Sequence, residues 1–452
     1  YDTVDSLQYV LSKRIEAVVA PASEVKAAVD KLYPQDFETR FGMDGESIDL
    51  EQKKVLDVDS VGEDETDSDA PVIRLVSMII MEACKMRASD IHLEPLERTF
   101  RVRYRIDGVL REMDNPPKRL QAAILSRVKI MSNMKISEKR IPQDGRIQVR
   151  VTGRDLDLRV SSVPTNHGES IVMRILDKTN LSLGLPQLGF LSDDQSTFER
   201  LIGMPDGVLL VTGPTGSGKT TTLYACLGQI NLPDRKIITV EDPVEYNSPG
   251  INQVQVNEKV GLGFSDALRS ILRQDPDVIL VGEIRDQKTA QIAIQASMTG
   301  HLLLSTLHTN TAIASIYRLV DMGIDSFLVS STLLGVMAQR LVRKLCGHCK
   351  TKVAANEEDL SYFDLQQGEF YEAIGCEQCN HTGYSGRIAI GEIVLIDDAV
   401  KKMIKEQKSE HELKTYLLQN QGFQTMFDEL RKLIQNGQTS FKEGLRIGVK
   451  EE

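Results

Sequence analysis

The chain has 452 residues, of which 41% are hydrophobic and 26% charged, and its formal net charge is −11. Because this length exceeds what one hydrophobic core usually holds, two or three domains are expected. No apolar run approaches the roughly 18 residues of a membrane-spanning helix, and the N-terminal segment lacks a secretory signal pattern. We therefore expect a cytoplasmic protein without a transmembrane segment. Since the sequence starts at Tyr1 and not at methionine, we also expect a preceding N-terminal part.

Two segments are predicted ahead of the main folded regions. Apolar positions at helical spacing in residues 1–33 predict short helices that end a small domain. Residues 34–69 then carry thirteen acidic and three basic side chains, which leaves a net charge of about −1 for the rest of the chain. Low hydropathy and like charges oppose collapse, so this stretch is predicted to be a solvated linker, with an acidic docking segment as the alternative. No basic footprint accompanies it, which disfavours a general nucleic-acid binder.

Residues 70–183 are predicted to form an α+β middle domain. An amphipathic helix begins near Pro71, and alternation at period two in "TFRVRYRIDGVLREM" predicts paired strands with Asp107-Gly108 as the turn. A second amphipathic helix, "LQAAILSRVKIMSNM", and strands around a Gly-Arg-Asp turn follow. The Gly- and Pro-containing "LGLPQLGF" predicts a linker, so residues 184–206 are assigned to a linker and the start of the next domain.

The pattern changes at Gly207, where apolar strands begin to alternate with helices. These strands are "VLLVTG", "KIITVED", "DVILVGE" and "HLLLSTLH". Continuous apolar strands separated by helices are typical of a mostly parallel sheet covered by helices on both faces. The sequence therefore predicts an α/β domain over residues 207–452.

The stretch "GPTGSGKT" matches the phosphate-binding pattern G-x-x-x-x-G-K-[ST] and lies between a predicted strand and a predicted helix. Glycines let backbone N–H groups surround phosphates, Lys219 can reach the β- and γ-phosphates, and the Thr220 hydroxyl can ligate Mg²⁺. The positive end of the helix dipole favours the same anion. The predicted nucleotide-binding residues of this loop are Gly213, Pro214, Thr215, Gly216, Ser217, Gly218, Lys219, Thr220 and Thr221.

Acidic and polar side chains follow the other predicted strands. Glu241, Asp242 and Glu245 come after one strand, Glu283 after another and His308 after a third. Open α/β sheets bind ligands at the carboxyl ends of their strands, so these carboxylates are predicted to hold Mg²⁺ or to orient the attacking water. Each glutamate taken alone could equally be a surface or capping residue. The histidine is either structural or a hydrogen-bonding sensor of the γ-phosphate.

Four cysteines form two C-x-x-C pairs, "CGHC" and "CEQC", separated by 26 residues. Four thiolates at this spacing are typical of a closed, tetrahedral and therefore structural Zn²⁺ site. Disulfides are the alternative, which a cytoplasmic location disfavours. The predicted zinc ligands, in a subdomain spanning residues 345–385, are Cys346, Cys349, Cys376 and Cys379.

Taken in order, "GPTGSGKT", "EDPVE", "RQDPDVILVGEIRD" and "TGHLLLSTLHTN" resemble the Walker A, Asp box, Walker B and His box of the secretion ATPase superfamily. The similarity spans about residues 70–400, and "LLGVMAQRLVRKLC" with the cysteines favours the type II secretion branch over the retraction ATPases. The resemblance implies a RecA-like motor domain, Mg²⁺-dependent ATP hydrolysis and a homo-hexameric ring peripheral to the inner membrane. It also implies that residues 1–33 end a recruitment domain that binds an inner-membrane platform protein. The alternatives are a type IV pilus assembly ATPase and, in another class, a nucleic-acid motor of the same fold.

The resemblance also assigns roles to individual residues. Glu245 and Glu283 would share the activation of water, and which of them is the base stays open. Arg159 and Arg174, on predicted middle-domain strands, would reach the γ-phosphate, and His308 would be the His-box residue. An exposed solubilising residue or a structural salt bridge is the alternative for each arginine. Further predicted cofactor-binding residues flank the Walker B strand: Arg269, Arg273 and Arg285.

Overall fold

The computed structural model describes residues 56–57, 70–151, 153–177, 184–190, 192–366 and 368–449. All of them belong to one unit of the chain, Val55–Glu452. The helices predicted over residues 1–33 and nearly all of the acidic stretch lie outside the described residues. Among the described helices, none is both long and apolar enough to cross a bilayer.

The first part of this unit is a seven-stranded sheet with two helices. The strands are β1 (Leu56–Asp57), β2 (Ala88–Pro95), β3 (Phe100–Ile106), β4 (Val109–Glu112), β5 (Gln143–Val151), β6 (Arg154–Thr165) and β7 (Gly168–Asp177). The helices are α1 (Ala70–Lys85) and α2 (Gln121–Met131), and a 3₁₀ turn covers Lys118–Leu120. The spatial strand order is β1-β5-β6-β7-β2-β3-β4. Every neighbouring pair is antiparallel except β1 and β5, which are parallel.

Alternation along β3 confirms the predicted strand pairing. Phe100, Val102, Tyr104 and Ile106 are buried, while the residues between them are partly exposed. Asp107 and Gly108 have φ angles of +48° and +83° and link β3 to β4 as a two-residue turn, which suits the right-handed twist of a hairpin. This places the turn where the sequence predicts it.

The second part is another seven-stranded sheet. Its strands are β8 (Gly207–Thr212), β9 (Ile237–Glu241), β10 (Ile251–Gln255), β11 (Val278–Val281), β12 (Leu302–Leu307), β13 (Leu333–Leu345) and β16 (Tyr384–Leu395), and a separate pair is β14 (Lys350–Val353) with β15 (Phe370–Ala373). The large sheet runs β10-β9-β11-β12-β8-β13-β16. All its neighbouring pairs are parallel except β13 and β16.

Helices cover both faces of this sheet. They are α3 (Ser192–Ile202), α4 (Lys219–Ile230), α5 (Phe264–Ile271), α6 (Gln287–Met298), α7 (Ala312–Asp321), α8 (Ser326–Thr332), α9 (Glu357–Tyr362), α10 (Asp398–Lys405), α11 (Glu410–Asn420), α12 (Met426–Gln435) and α13 (Phe441–Ile447). Along β8, Val208 and Leu210 belong to one hydrophobic core, and Leu209 and Val211 belong to another. A strand buried on both sides must be apolar at every position. The predicted α/β fold with a mostly parallel sheet is thereby confirmed.

The segment "LGLPQLGF" differs from a simple linker. Leu185–Leu188 is a short 3₁₀ helix, and Leu185 and Phe190 are buried in the same core as Leu209. The glycines and the proline favoured a linker prediction, but here they mark turns between apolar residues that reach the core. This stretch therefore packs with the second sheet.

Candidate active site

The phosphate loop lies between β8 and α4, as its sequence pattern predicts. Gly213, Gly216 and Gly218 have φ angles of +140°, +80° and +92°, a region that only glycine enters without strain. A Cβ atom on Gly213 would lie 2.4 Å from the carbonyl oxygen of Gln339. The loop can therefore close against β13 only because this position has no side chain.

A side chain of β13 holds this loop in place. The Gln339 amide donates to the carbonyl oxygen of Ser217 at 2.9 Å, and its own oxygen accepts from the Thr222 hydroxyl on α4 at 2.7 Å. Gln339 is 2% exposed, so water does not compete for these bonds. The sequence analysis missed this residue, and the available signal was a polar side chain inside the apolar strand "VMAQRLV".

Two groups of the loop are arranged as a phosphate would require. The Lys219 ammonium is largely buried and donates to the carbonyl oxygens of Gly213 and Pro214 at 2.7 and 3.2 Å. Burial lowers the pKa of Lys219, and the charge of Glu283 partly offsets this. The Ser217 hydroxyl is buried and has no hydrogen-bond partner among the described residues. Phosphate oxygens would satisfy both groups, so the loop fits a nucleotide phosphate.

Glu283 and His308 meet because β11 and β12 are neighbouring parallel strands. Glu283 follows β11 and His308 follows β12, and His308 Nε2 lies 3.1 Å from Glu283 Oε2. Arg285 contacts the other carboxylate oxygen at 2.5 Å. Burial favours the neutral carboxyl, but the hydrogen bonds and charges of Arg285 and His308 outweigh it and lower the pKa of Glu283. This carboxylate is therefore anionic at neutral pH.

Glu245 receives its partner from the other sheet. Arg159 of β6 places Nη1 2.9 Å from Glu245 Oε2, and its Nη2 donates to the carbonyl oxygen of Val244 at 2.8 Å. The two ionic side chains are 20% and 26% exposed. The Nε of Arg159 is buried without a hydrogen-bond partner among the described residues. A predicted phosphate-facing arginine and a predicted water-activating carboxylate are thus paired with each other.

Arg159 belongs to a row of arginines on one face of the first sheet. Arg146 of β5, Arg159 and Arg174 of β7 lie directly opposite one another in register, followed by Asp90 of β2. Arg174 donates through Nε to Asp90 Oδ1 at 3.0 Å. Like charges opposite one another destabilise a sheet, and Asp90 and Glu245 offset part of that cost. The sequence analysis did not identify Arg146, because strand register cannot be derived from composition.

Glu241, at the end of β9, is buried and its carboxylate is fully engaged. It accepts from the hydroxyls of Thr239 and Tyr224, both at 2.6 Å, and from the Gln253 amide at 3.2 Å. Asp242 follows it and is exposed. Both residues line the same cleft as the phosphate loop.

The remaining predicted arginines lie at the margin of the site. Arg269 is exposed on α5, 4.0 Å from Asp266, and Arg273 donates to the backbone oxygen of Arg269 at 3.1 Å. Of the described residues, the cleft wall includes neither of them. Arg285 is close because it pairs with Glu283. Their roles as nucleotide ligands remain predictions.

These elements enclose one cleft of about 390 Å³. Its wall includes the following predicted residues: Thr215, Gly216, Ser217, Gly218, Lys219, Thr220, Thr221, Glu241, Asp242, Glu245, Glu283, His308 and Arg174. Arg387 of β16 and Tyr246 also line it, and the sequence analysis missed both. Arg387 lies 3.9 Å from Asp107 at the hairpin tip of the first sheet. The first sheet therefore reaches the cleft at three places: Arg174 lines it, Arg159 pairs with Glu245 of its wall, and Asp107 lies near Arg387.

The four predicted zinc ligands are brought together near β14 and β15. Their sulfur atoms all lie within 4.8 Å of one another. The Sγ–Sγ distances are 4.0 Å for Cys346 and Cys376, 3.8 Å for Cys349 and Cys379, and 3.7 Å for Cys376 and Cys379. Tetrahedral zinc with bonds of about 2.3 Å gives sulfur–sulfur edges of about 3.8 Å. The four thiols therefore fit a structural Zn²⁺ ion.

The sequence of the chain is similar to those of known proteins. The family described as "Type II/IV secretion system protein" matches residues 65–446. The chain is 50% identical over 386 residues to the "Type II secretion system ATPase E" of Vibrio cholerae serotype O1, covering 85% of this chain and 76% of the relative. It is 46% identical over 451 residues to the "Type IV pilus assembly ATPase PilB" of Myxococcus xanthus, covering 97% of this chain and 79% of the relative.

Solved structures resemble the fold. The pilus retraction motor PilT with bound ADP aligns with a TM-score of 0.56 and 28% identity, covering 82% of this chain and 96% of PilT. The ATPase DotB of Legionella pneumophila aligns with a TM-score of 0.62 and 21% identity, covering 87% of this chain and 99% of DotB. Because DotB is only 21% identical to this chain, its similarity supports the fold and nothing about the function.

Proposed function

The chain belongs to the family of type II/IV secretion system proteins, and we propose that it is the Mg²⁺-dependent ATPase that powers pseudopilus assembly in type II protein secretion. A relative that is 50% identical and is itself a type II secretion ATPase supports this. The observation that carries the proposal is the cleft itself. The phosphate loop, the carboxylates of Glu245 and Glu283, and arginines of the first sheet meet there.

The residues of the cleft have different roles in ATP hydrolysis. The loop residues 213–218 and Lys219 hold the nucleotide phosphates, and Thr220 with Glu283 would hold Mg²⁺, which supplies charge neutralisation between the phosphates when bound. Arg285 and His308 contact the two oxygens of Glu283 and lower its pKa, so this carboxylate is a weak proton acceptor. Glu245 is therefore the better candidate to orient and deprotonate the attacking water.

Arg159 gives the cleft its link to the first sheet. In this structure its guanidinium neutralises Glu245, so the arginine must leave that carboxylate before it can meet a γ-phosphate. A bound triphosphate competes for the guanidinium and frees Glu245 in the same event. Arg159 belongs to the first sheet, and Glu245 follows a strand of the second, so the nucleotide state changes the contact between the sheets. The free energy of nucleotide binding can thereby move one sheet relative to the other.

The remaining assignments follow from the family resemblance. The chain works as a homo-hexameric ring in the cytoplasm, peripheral to the inner membrane, and binds a platform protein through its N-terminal domain. Residues 1–33 end that recruitment domain, residues 34–69 are an acidic linker, and residues 70–183 are the middle domain. Residues 184–206 lead into a RecA-like motor domain over residues 207–452. The four cysteines hold Zn²⁺ as a structural ion in residues 345–385.

Type IV pilus assembly is the second candidate function. The Myxococcus xanthus relative covers 97% of this chain at 46% identity, so the two machines are not separated by similarity alone. A nucleic-acid motor is less favoured, because a net charge of −11 opposes contact with phosphate backbones.

Complementation distinguishes the two machines. In a host from which the chromosomal copy is deleted, exoprotein secretion and surface pili are both measured. If this is the secretion ATPase, the wild-type gene restores exoprotein release and a Lys219→Ala gene does not, while piliation is the same in all strains. Loss of pili with intact secretion in the deletion strain would instead identify the chain as a pilus assembly ATPase. Intact secretion and intact pili in the deletion strain would contradict both assignments.

A further inference from the structure

A group of polar contacts borders the cleft beside the phosphate loop, and no step proposed above uses it. The hydroxyl of Tyr224, on α4, donates to Glu241 Oε2 at 2.6 Å. The side-chain amide of Gln253, on β10, donates to the carbonyl oxygen of Tyr246 at 2.8 Å and accepts from the backbone N–H of Ser248 at 2.8 Å. We call Tyr224, Glu241 and Gln253 the anchor network.

Counting donors and acceptors fixes the direction of each bond. The Tyr224 hydroxyl has one proton, which goes to the short bond with Glu241, and its oxygen then accepts from Gln253 Nε2 at 3.0 Å. Burial, together with the hydrogen bond and charge of Glu241, raises the pKa of Tyr224, so the hydroxyl remains a donor at neutral pH. The Ser248 N–H can only donate, which sets the Gln253 amide with its oxygen toward Ser248.

The anchor network fastens a particular loop. Residues 242–250 connect β9 to β10 and include Glu245. Gln253 binds this loop at Tyr246 and at Ser248, which both follow Glu245 in the chain. Glu241 precedes Glu245, so the loop is held on both sides of this residue. The rings of Tyr224 and Tyr246 add an edge-to-face contact, with centroids 5.8 Å apart and planes at 85°. The loop that carries Glu245 is thus bound directly to the helix that begins with Lys219.

We propose that Tyr224 and Gln253 are positioning residues for ATP hydrolysis, which set Glu245 at a fixed distance from the phosphate loop. This inference rests on the proposed function of the cleft. Neither side chain needs to touch the reacting atoms, because each acts through the loop that Glu245 belongs to. A misplacement of about 1 Å can cost roughly 10²-fold in rate, whereas the groups that hold the phosphates are unchanged.

The test compares two tyrosine-to-phenylalanine variants of the full chain. Tyr224→Phe removes the hydroxyl that reaches Glu241. Tyr317→Phe is the matched control, because it removes a partly buried hydroxyl that donates to the Lys408 carbonyl oxygen at 2.6 Å, away from the cleft. The measurements are kcat at saturating ATP and Mg²⁺, the Kd for fluorescent ADP, and the melting temperature.

We expect kcat of Tyr224→Phe to fall roughly 10- to 100-fold, with the Kd for ADP changed by less than about threefold. Gln253→Leu should likewise lower kcat and leave the Kd for ADP nearly unchanged. Tyr317→Phe should keep the wild-type kcat even if its melting temperature is lower. Wild-type kcat in Tyr224→Phe, or an equal loss of kcat in Tyr317→Phe, would overturn the inference. Failure of the wild-type chain itself to hydrolyse ATP would instead overturn the proposed function.

Discussion

Replacing Arg159 by alanine separates a catalytic role from a structural one. The guanidinium makes an ion pair with Glu245 at 2.9 Å and a hydrogen bond to the Val244 carbonyl oxygen at 2.8 Å. The paired side chains are 20% and 26% exposed, so solvent screens them and the pair contributes about 1 kcal/mol or less. A hydrogen bond from a charged group adds roughly 1.5–3 kcal/mol. The structural cost is therefore a few kcal/mol.

The catalytic cost is expected to be larger and to fall on a different quantity. An arginine that meets developing charge on a transferred phosphoryl group raises the rate by roughly 10³- to 10⁵-fold, which corresponds to about 4–7 kcal/mol of barrier. The Arg159→Ala chain should thus lose kcat by about 10³-fold or more. Its melting temperature should fall by roughly 3–16 °C, at about 2–4 °C per kcal/mol of lost stability.

The assay is steady-state phosphate release by the full chain, with differential scanning calorimetry on the same samples. Arg150→Ala is the control, since Arg150 lies on the same sheet in an exposed ion pair with Asp155 and outside the cleft wall. Arg159→Lys should recover part of the rate, because it keeps the charge and loses the planar fork of donors. An unchanged or raised kcat in Arg159→Ala would show that the arginine only restrains Glu245, and the reasoning would be refuted.

Two further predictions concern the rest of the fold. Elemental analysis should find about one zinc per chain. The double variant Cys346→Ser, Cys349→Ser should lose the metal and expose the amides of residues 345–385 to hydrogen exchange, because structural zinc contributes on the order of 10 kcal/mol in small domains. A metal-free protein in which the cysteines form disulfides would contradict this prediction. Burial, together with a hydrogen bond that protonated Glu429 donates to Asp194, raises the pKa of Glu429 to about 9, above its unfolded value of about 4.3. The proton that Glu429 keeps on folding therefore stabilises the chain fully below about pH 4, and this contribution is lost as pH rises toward about 9. Glu429→Gln should flatten the fall in the free energy of unfolding between about pH 5 and 9, by up to about 1.4 kcal/mol per pH unit, and an unchanged slope would contradict the buried proton on Glu429.

The sequence predicted the parts of the site that depend on local patterns. The phosphate loop has fixed spacing between residues that are neighbours in the chain, and two C-x-x-C pairs need only one loop closure to form the sulfur cluster. The carboxyl ends of parallel strands share one edge of the sheet, so Glu283 and His308 could be assigned to that edge, while their direct contact depends on β11 and β12 being neighbours. These predictions required no knowledge of register.

The parts that sequence analysis missed depend on pairing between distant strands. Gln339 meets the phosphate loop only because β13 pairs with β8, and Arg146 joins Arg159 only through the register of β5 and β6. Arg387 reaches the cleft from β16, the edge strand that pairs with β13. Long-range pairing of this kind leaves no periodic signal in the chain, and only the folded structure reveals it.

The most direct test of the central claim is the rate of phosphate release from ATP and Mg²⁺ by the full chain and by its Lys219→Ala variant. The change deletes a phosphate contact and little apolar packing, so the variant should fold and melt near the wild-type temperature. If the cleft hydrolyses ATP, the wild-type chain turns over and the variant loses at least about 99% of that rate. Phosphate release by Lys219→Ala at a near-normal rate would contradict the account, because the hydrolysis would then take place without the phosphate loop.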